Sequence, residues 1–420
     1  MAKPYAEKFF FIVMLNVKAM RWLLGFIFHE TAFGLLSVFI PLYITGTLNG
    51  SLTDVGVMSA SASFAAVPFS FFWGYISEKT RQYKLYILIS FAAISILLYA
   101  FSLTNIIFLL IIIYALTAIF QVAHETPKNV LISENYPQME WEKGFGTFQL
   151  LTGLGWFIGL LLGLILSLSR FSGTSMILLC SLLNFIAFAI SVFSVKDPVL
   201  IFERKLVGME RAVSLVNRGF YLFSKALDGQ EVKERLGENV SALCFGLLVF
   251  TLTTSMLFTP LPVFFSQNLH VSESLVFGVF MLNSSGSLFG YFFSAKLSQP
   301  NDRAVVKKTT LARILFTFIA FGAVWFAFFP LEFSVLALLV LGITYGFFLI
   351  SILSLSMELI PEGKAGVFNV LTGLGGATGC LWGSFFAENF GFPILLLITA
   401  IGFSLSYVIF RTLQKGDDSF

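Results

Sequence analysis

The sequence predicts an all-α membrane protein in which twelve transmembrane helices form two six-helix bundles. Composition is the first reason, because 57% of the residues are hydrophobic and 12% are charged, about half the charged fraction of a soluble globular chain. The second is a series of apolar runs of about 20 residues, each long enough to cross a bilayer. The third is an internal repeat that relates the two halves of the chain.

Six apolar runs occur in each half, and we number the predicted helices 1 to 12 in chain order. In the first half they span 19–45, 53–76, 84–103, 105–134, 146–168 and 173–195. In the second half they span 240–265, 273–296, 307–329, 332–357, 366–387 and 391–412.

The halves define two predicted bundle domains, residues 1–195 and 240–420, joined by residues 196–239. This middle segment interleaves charged and apolar residues, which predicts amphipathic helices on the inner membrane surface. A simple linker and a regulatory or partner-binding element are both open interpretations of it.

The repeat is visible as motifs of the first half that recur in the second at a nearly constant displacement. Segment 148–159, which contains the run Thr-Gly-Leu-Gly, recurs at 368–379. Pro41 recurs as Pro262, displaced by almost the same distance along the chain. Tandem hydrophobic units of this kind are typical of secondary transporters, whose binding site lies between the repeats.

Lysine and arginine residues concentrate on one side of the predicted membrane. If both termini are cytoplasmic, 25 of the 26 lie towards the inner side, including those from Lys296 to Arg313, and Arg170 alone lies outside. The positive-inside rule therefore predicts a multi-pass plasma-membrane protein with both termini in the cytoplasm. The net charge is +3, but the basic residues border the bilayer and do not form one patch, so the charge does not indicate nucleic-acid binding.

After predicted helix 2 the chain carries Gly74 and the pair Glu78-Lys79, followed by Arg81 and Lys84. With the six-plus-six helices and the charged central segment, this run resembles the major facilitator superfamily, whose loop motif is Gly-x-Leu-Ala-Asp-Arg-x-Gly-Arg-Lys. Gly74 and Lys79 match, Glu78 keeps the acid, and Lys84 keeps a base one position late. Arg81 replaces the second glycine, which a tight turn favours. The resemblance implies alternating access, a cavity lined by helices 1, 4, 7 and 10, and a cytoplasmic gate formed by Gly74, Glu78, Lys79 and Lys84.

Glycines form a ladder in predicted helix 5 that predicted helix 11 repeats. Small residues at this spacing let helix backbones approach closely in lipid. The spacing is similar to the family's antiporter motif, with Leu160 in place of its proline, and close helix packing alone also explains it. The ladder consists of Gly146, Gly155, Gly159 and Gly163, and of Gly366, Gly375, Gly379 and Gly383.

Ionisable residues inside predicted helices 1 and 4 are the candidates for proton coupling and substrate binding, because such groups are costly in a bilayer. Two carboxylates facing one cavity can each take up a proton, and a cationic substrate would compete for them. The structural alternatives are an i, i+3 ion pair in helix 4 and ordinary packing histidines. A lysine there could instead bind an anionic substrate. The candidates are His29 and Glu30 in helix 1, and Gln121, His124, Glu125 and Lys128 in helix 4.

The second half offers neutral groups at comparable depth. Thr251 is the repeat partner of Glu30, Asn283 lies in predicted helix 8, and Tyr345 lies in predicted helix 10. We interpret these three as substrate contacts, because no acid lies deep in this half. Helical threonine often bonds its own backbone, which is the structural alternative for Thr251.

These observations predict a secondary active transporter and not an enzyme, with no cofactor and no metal. The sequence has no Walker loop that would bind ATP.

A proton-coupled exporter of lipophilic or cationic molecules is the first hypothesis, favoured by 52 phenylalanines that could line an aromatic cavity. A proton-coupled symporter or facilitator for a polar nutrient, such as a sugar, amino acid or organic acid, is the second. A non-transporting sensor or membrane enzyme of the same fold is the third. The expected partners are a small-molecule substrate, protons and lipid, and the chain is expected to be a monomer.

Overall fold

The computed structural model of the protein describes residues 21–135, 141–197, 240–296, 301–359 and 366–413. Within these ranges the regular structure is entirely helical, and twelve long helices follow one another. Eleven of them are long and apolar enough to cross a membrane. The predicted all-α fold of two six-helix bundles is therefore confirmed. Most of the predicted linker, from residue 198 to 239, lies outside the described residues, and the predicted domain boundaries stay a prediction.

Each helix lies close to its predicted span, and we label them in chain order. The first six are α1 Leu23–Leu42, α2 Leu52–Thr80, α3 Tyr83–Ser102, α4 in two segments Ile107–Gln121 and Glu125–Asn135, α5 Trp141–Leu168 and α6 Gly173–Ser194. The second six are α7 Val240–Phe258, α8 Glu273–Lys296, α9 Asp302–Trp325, α10 Pro330–Leu359, α11 Gly366–Phe390 and α12 Phe392–Arg411. With an even number of passes, the described chain begins and ends on one face, which we call the termini face.

Both halves use the same helix pairings. In the first, α1 packs on α5 and α6, α3 on α4 and α6, and α2 on α4. In the second, α7 packs on α11 and α12, α9 on α10 and α12, and α8 on α10. The halves meet through α2 against α11 and through α5 against α8. These two contacts are also equivalent under the repeat, so the bundles are related by a pseudo-two-fold axis between them.

The repeat extends to local backbone geometry. Residues Tyr43–Thr47 and Phe264–Asn268, which correspond to each other under the repeat, both form a π-helical turn at the face opposite the termini. Each turn begins two residues after a proline, Pro41 or Pro262, whose missing N–H weakens the α-helical hydrogen bonding. Each is followed within two residues by a left-handed residue with φ of 52° or 53°.

Most of the glycine ladder lies where α5 crosses α1 and where α11 crosses α7, whereas Gly163 lies against Phe277 of α8. A Cβ on Gly159 would collide with the carbonyl oxygen of Thr31, and a Cβ on Gly379 would collide with that of Leu252. Thr31 and Leu252 are themselves repeat partners, so the same contact occurs in both halves. Gly155, Gly163, Gly375 and Gly383 are likewise too close to a neighbour for a side chain.

Arg313 lies in the middle of α9, and its predicted place at the inner membrane border is wrong. The helix begins at Asp302 and not at 307, because Asn301 caps it by accepting a hydrogen bond from the backbone N–H of Ala304 at 3.1 Å. Eleven residues of helix, about 17 Å, therefore separate Arg313 from the start of α9. Its side chain is 0% exposed.

Replacing Gly159 or Gly379 by alanine will lower the melting temperature of the purified protein. Each new methyl group would meet backbone atoms that cannot rotate away, and overpacking costs about 1–3 kcal/mol. Gly322→Ala in α9 is the matched control, because the space around Gly322 is open and alanine favours the helix. Equal melting temperatures for Gly159→Ala, Gly379→Ala and Gly322→Ala would contradict the close approach of the helices.

Candidate functional site

The two halves approach each other along α5, where two glycines receive side chains from opposite halves. A Cβ placed on Gly155 would lie 3.3 Å from the Cβ of Glu30 in α1. A Cβ placed on Gly153 would lie 3.6 Å from the ring of Tyr291 in α8. Glu30 and Tyr291 therefore lie against the same stretch of α5 from opposite halves. The predicted coupling residue Glu30 thus lies where a rearrangement of the halves would change its surroundings.

Of the two predicted acids, Glu125 is already paired. Its Oε2 lies 2.5 Å from Nζ of Lys128, and that Nζ also lies 5.3 Å from the ring centroid of Phe148 in α5. The i, i+3 pairing that helical spacing allowed is the geometry observed. Glu30 interacts electrostatically with both partners but has no ion pair or side-chain hydrogen bond among the described residues.

The two candidate histidines pack together inside the first half. Their ring centroids are 5.0 Å apart and both side chains are buried. His29 Nδ1 lies 2.8 Å from Oδ1 of Asn184, and His124 Nδ1 lies 2.9 Å from Oγ of Ser90. Because the Asn184 amide donates to the carbonyl of Cys180, its Oδ1 is free to accept from His29. Nε2 of His29 has no partner among the described residues.

A cavity of about 210 Å³ lies beside these groups, between α1, α2 and α4. Gln121, one of the candidate substrate residues, lines it together with Ser59, Ser63 and Tyr114. Its volume is below the range of about 300–1,000 Å³ for pockets that hold drug-sized ligands.

Two of the predicted contacts in the second half take part in helix packing. The Thr251 hydroxyl donates to the carbonyl of Leu247 at 2.9 Å and lies against Gly375, so the backbone-bonding alternative is the geometry observed. The Asn283 amide donates to the carbonyl of Leu338 at 2.7 Å and links α8 to α10. The third, Tyr345, lies beside the buried Arg313.

Sequence reasoning missed Arg313 as a functional candidate. Its Nη2 donates to the carbonyl of Leu341 at 2.9 Å, and its Nη1 lies 3.4 Å from Oγ1 of Thr254. No carboxylate lies within ion-pair distance of it in the described part of the chain, and its Nε has no partner there. Asn301-Asp302, a helix-start signal ahead of the predicted helix, could have placed Arg313 deeper. Aromatic rings surround the guanidinium, with centroids at 4.9 Å for Phe250, 5.5 Å for Tyr345 and 5.5 Å for Phe403.

The predicted gate motif follows the end of α2 on the termini face. Gly74 lies against the hydroxyl of Thr126 in α4, where a Cβ would be at 3.2 Å. Glu78 and Lys79 are exposed. Lys84 contacts the end of α6, because its Nζ donates to the carbonyl of Val192 at 2.6 Å.

Arg81 closes α2 in the left-handed conformation, with φ 55° and ψ 22°. Its backbone N–H donates to the carbonyl of Ser77 at 2.8 Å, which completes the last turn. The turn that the family builds with glycine therefore forms here with an arginine.

The sequence profile described as "Major Facilitator Superfamily" matches residues 22–379. The chain belongs to the Major Facilitator Superfamily. Two structures of the nucleoside transporter NupG, one of them a variant, superpose with TM-scores of 0.68 and 0.61 at 16% identity, and both cover 94% of this chain. The superpositions include 99% and 98% of the two NupG chains. The human organic anion transporter MFSD10 (TETRAN) gives a TM-score of 0.67 at 13% identity, with 94% of this chain and 99% of that chain covered.

No sequence among the curated proteins matches this chain. The structural similarities lie below 25% identity, so they show the shared fold alone. Membership of the family, with eleven apolar helices, makes the chain a multi-pass membrane protein. Family and fold point to a transporter of a small molecule and not to an enzyme.

Arg81→Gly will raise the stability of the protein. A left-handed residue with a side chain costs about 1–2 kcal/mol, and the greater backbone entropy of glycine offsets part of the gain. We expect a net gain of about 0.5–1 kcal/mol, seen as a higher melting temperature in detergent. Lys79→Gly, in the last turn of the same helix, is the control and should cost about 1 kcal/mol. A loss of stability in Arg81→Gly would contradict a strained turn.

The Glu125–Lys128 pair will show coupling in a double-mutant cycle. Lys128→Met leaves a partly buried carboxylate without its counter-ion, whereas adding Glu125→Gln removes that charge. We therefore expect the double variant to be more stable than the sum of the single effects predicts, by about 0.5–3 kcal/mol. Additive effects in melting or denaturation curves would show that the pair contributes no coupling.

Proposed function

We propose that this chain is a proton-coupled secondary transporter of a small polar molecule, with Glu30 as the proton-carrying group. The observation that carries the proposal is the acid Glu30 of α1 against Gly155 of α5, the helix that packs on α8 of the other half. It has no ion pair within the described residues, whereas Glu125 pairs with Lys128. An unpaired carboxylate at this depth is costly when charged and far less costly when protonated.

Proton binding at Glu30 would be linked to the conformational cycle. The charged and titratable groups that face it are Lys128 and Glu125 from α4 and Tyr291 from α8. The ring of His29, the residue before Glu30 in the chain, forms its hydrogen bond with Asn184 and not with Glu30. Tyr291 belongs to the other half, so rocking of the bundles would move it relative to Glu30. In alternating access, such a change exposes the acid to one side of the membrane and then to the other.

The form of the cavity favours a small polar substrate over the lipophilic cation of our first hypothesis. Its volume is about 210 Å³, and hydroxyl and amide groups of Ser59, Ser63, Tyr114 and Gln121 contribute to its lining. Of the two predicted acids, Glu125 pairs with Lys128, and we assign Glu30 to the proton, which leaves no further acid for a cation. The positive-inside pattern supports cytoplasmic termini. The proposed transporter acts as a monomer in the plasma membrane.

The test is Glu30→Gln in proteoliposomes with a pH gradient, read by an internal pH dye and by labelled substrate. The panel contains sugars, nucleosides, amino acids, organic acids and lipophilic cations. For any compound that moves protons with the wild-type protein, we expect Glu30→Gln to lose gradient-driven accumulation at least tenfold. Exchange of labelled for unlabelled compound without a gradient should persist, because that step needs no net proton movement.

Glu332→Gln is the matched control, because Glu332 is an exposed acid in the first turn of α10. It should behave like the wild type in both assays. Unchanged accumulation in Glu30→Gln would refute Glu30 as the coupling group. Proton movement with lipophilic cations alone would restore the export hypothesis, and no flux with any compound would favour the non-transporting alternative.

A further inference from the structure

The guanidinium of Arg313 is a buried positive charge that the described part of the second half leaves without a counter-ion. Its hydrogen bonds go to neutral oxygens of Leu341 and Thr254, and its Nε has no partner there. A charge at mid-membrane depth is expensive, and such groups usually pair or mark a substrate pathway. Among the described residues, the compensation of its charge is therefore incomplete.

Aromatic rings provide part of the compensation and connect the charge to the site. The guanidinium carbon lies 4.9 Å from the ring of Phe250 and 5.5 Å from that of Tyr345, both within cation–π range. Tyr291 of α8 lies next to the same part of α10, because a Cβ on Gly346 would be 2.9 Å from its backbone nitrogen. Its ring lies against Gly153 of α5, two residues from the Gly155 that contacts Glu30. Tyr345 thus adjoins the buried cation, and Tyr291 adjoins the stretch of α5 that contacts the unpaired acid.

The hydroxyl groups of these tyrosines have no hydrogen-bond partner among the described residues. Tyr291 is nevertheless only 7% exposed, so water does not readily replace such a partner. A neighbouring cation draws electron density from a phenol and strengthens it as a hydrogen-bond donor. Phenols in this setting favour a negatively charged acceptor over a neutral one.

We propose that the transported molecule is a small organic anion whose carboxylate accepts hydrogen bonds from Tyr291 and Tyr345, with Arg313 as the residue that makes this position selective for negative charge. Arg313 is fully buried, so it acts through the tyrosines as a positioning residue and does not touch the substrate. This inference rests on the proposed transport function. A monoanion carried together with the proton on Glu30 crosses the membrane without net charge.

The experiment compares acids with their amides, which match them in size and shape. Benzoate with benzamide, nicotinate with nicotinamide and lactate with lactamide are tested by ligand-induced shifts in melting temperature and by uptake into proteoliposomes. For the wild-type protein we expect at least one acid to bind and be transported at least tenfold better than its amide. Arg313→Gln should reduce that acid-to-amide ratio at least tenfold, and Arg313→Lys should restore part of it.

A purely structural role of Arg313 would lower the stability or the uptake of all compounds and leave the ratio unchanged. Tyr291→Phe and Tyr345→Phe remove only a hydroxyl and keep the ring, so they test the same position if Arg313→Gln does not fold. They should weaken acid binding and leave the melting temperature of the ligand-free protein unchanged. Equal handling of acids and amides, no binding of any acid, or an unchanged ratio in Arg313→Gln would each overturn the proposal.

The two proposals fail separately. Acid transport that depends on Arg313 but not on Glu30 would refute proton coupling and keep the anion site. Neutral compounds moved with protons through Glu30, with acids excluded, would keep the coupling and refute the anion site.

Discussion

The close approach of α1 to α5, and of α7 to α11, is the interaction on which the rest of the structure depends. Lipid gives helices no hydrophobic reason to associate, so contact between backbones has to supply the attraction. Glycine makes this possible at Gly159 and Gly379, where a side chain would strike a carbonyl oxygen. The same packing places Glu30 against Gly155, next to the stretch of α5 that meets α8 of the other half. Helix packing therefore determines where the unpaired acid lies.

Charge compensation is the second constraint, and the two halves meet it differently. The first half joins its lysine to an acid as Glu125–Lys128 and leaves Glu30 alone. The second half buries Arg313 without an acid among the described residues and surrounds it with aromatic rings. One acid and one base thus remain unpaired in opposite halves, with Tyr345 beside the base and Tyr291 against α5 at the boundary. Such a site can bind a proton on Glu30 of the first half and a hydrogen-bond acceptor of the substrate on the tyrosines of the second half.

Sequence reasoning predicted the helices and the repeat well, because apolar runs and recurring motifs are local properties that the fold preserves. It could not decide between pairing and exposure for Glu125, since helical spacing permits both and only the neighbouring helix decides. Arg313 was misplaced because charged residues at the start of α9 read as a loop, and the cap at Asn301 shifts the whole helix towards the termini face. Thr251 occupies the position equivalent to Glu30, but its hydroxyl donates a hydrogen bond to the preceding turn of its own helix. Sequence position alone therefore did not predict its packing role.

The repeat also shows where the two halves have diverged. His29 and His124 correspond under the repeat to Phe250 and Tyr345, by the same displacement that relates Pro41 to Pro262. In the first half Phe91 packs on both histidines, with centroids 5.0 Å and 5.6 Å away, and in the second Arg313 packs on Phe250 and Tyr345 at 4.9 Å and 5.5 Å. Beside these equivalent residues, the bundle core thus holds a neutral ring in one half and a guanidinium in the other. A ring satisfies the packing, so packing alone does not require the arginine. We therefore attribute the buried charge of the second half to the anion site proposed for it.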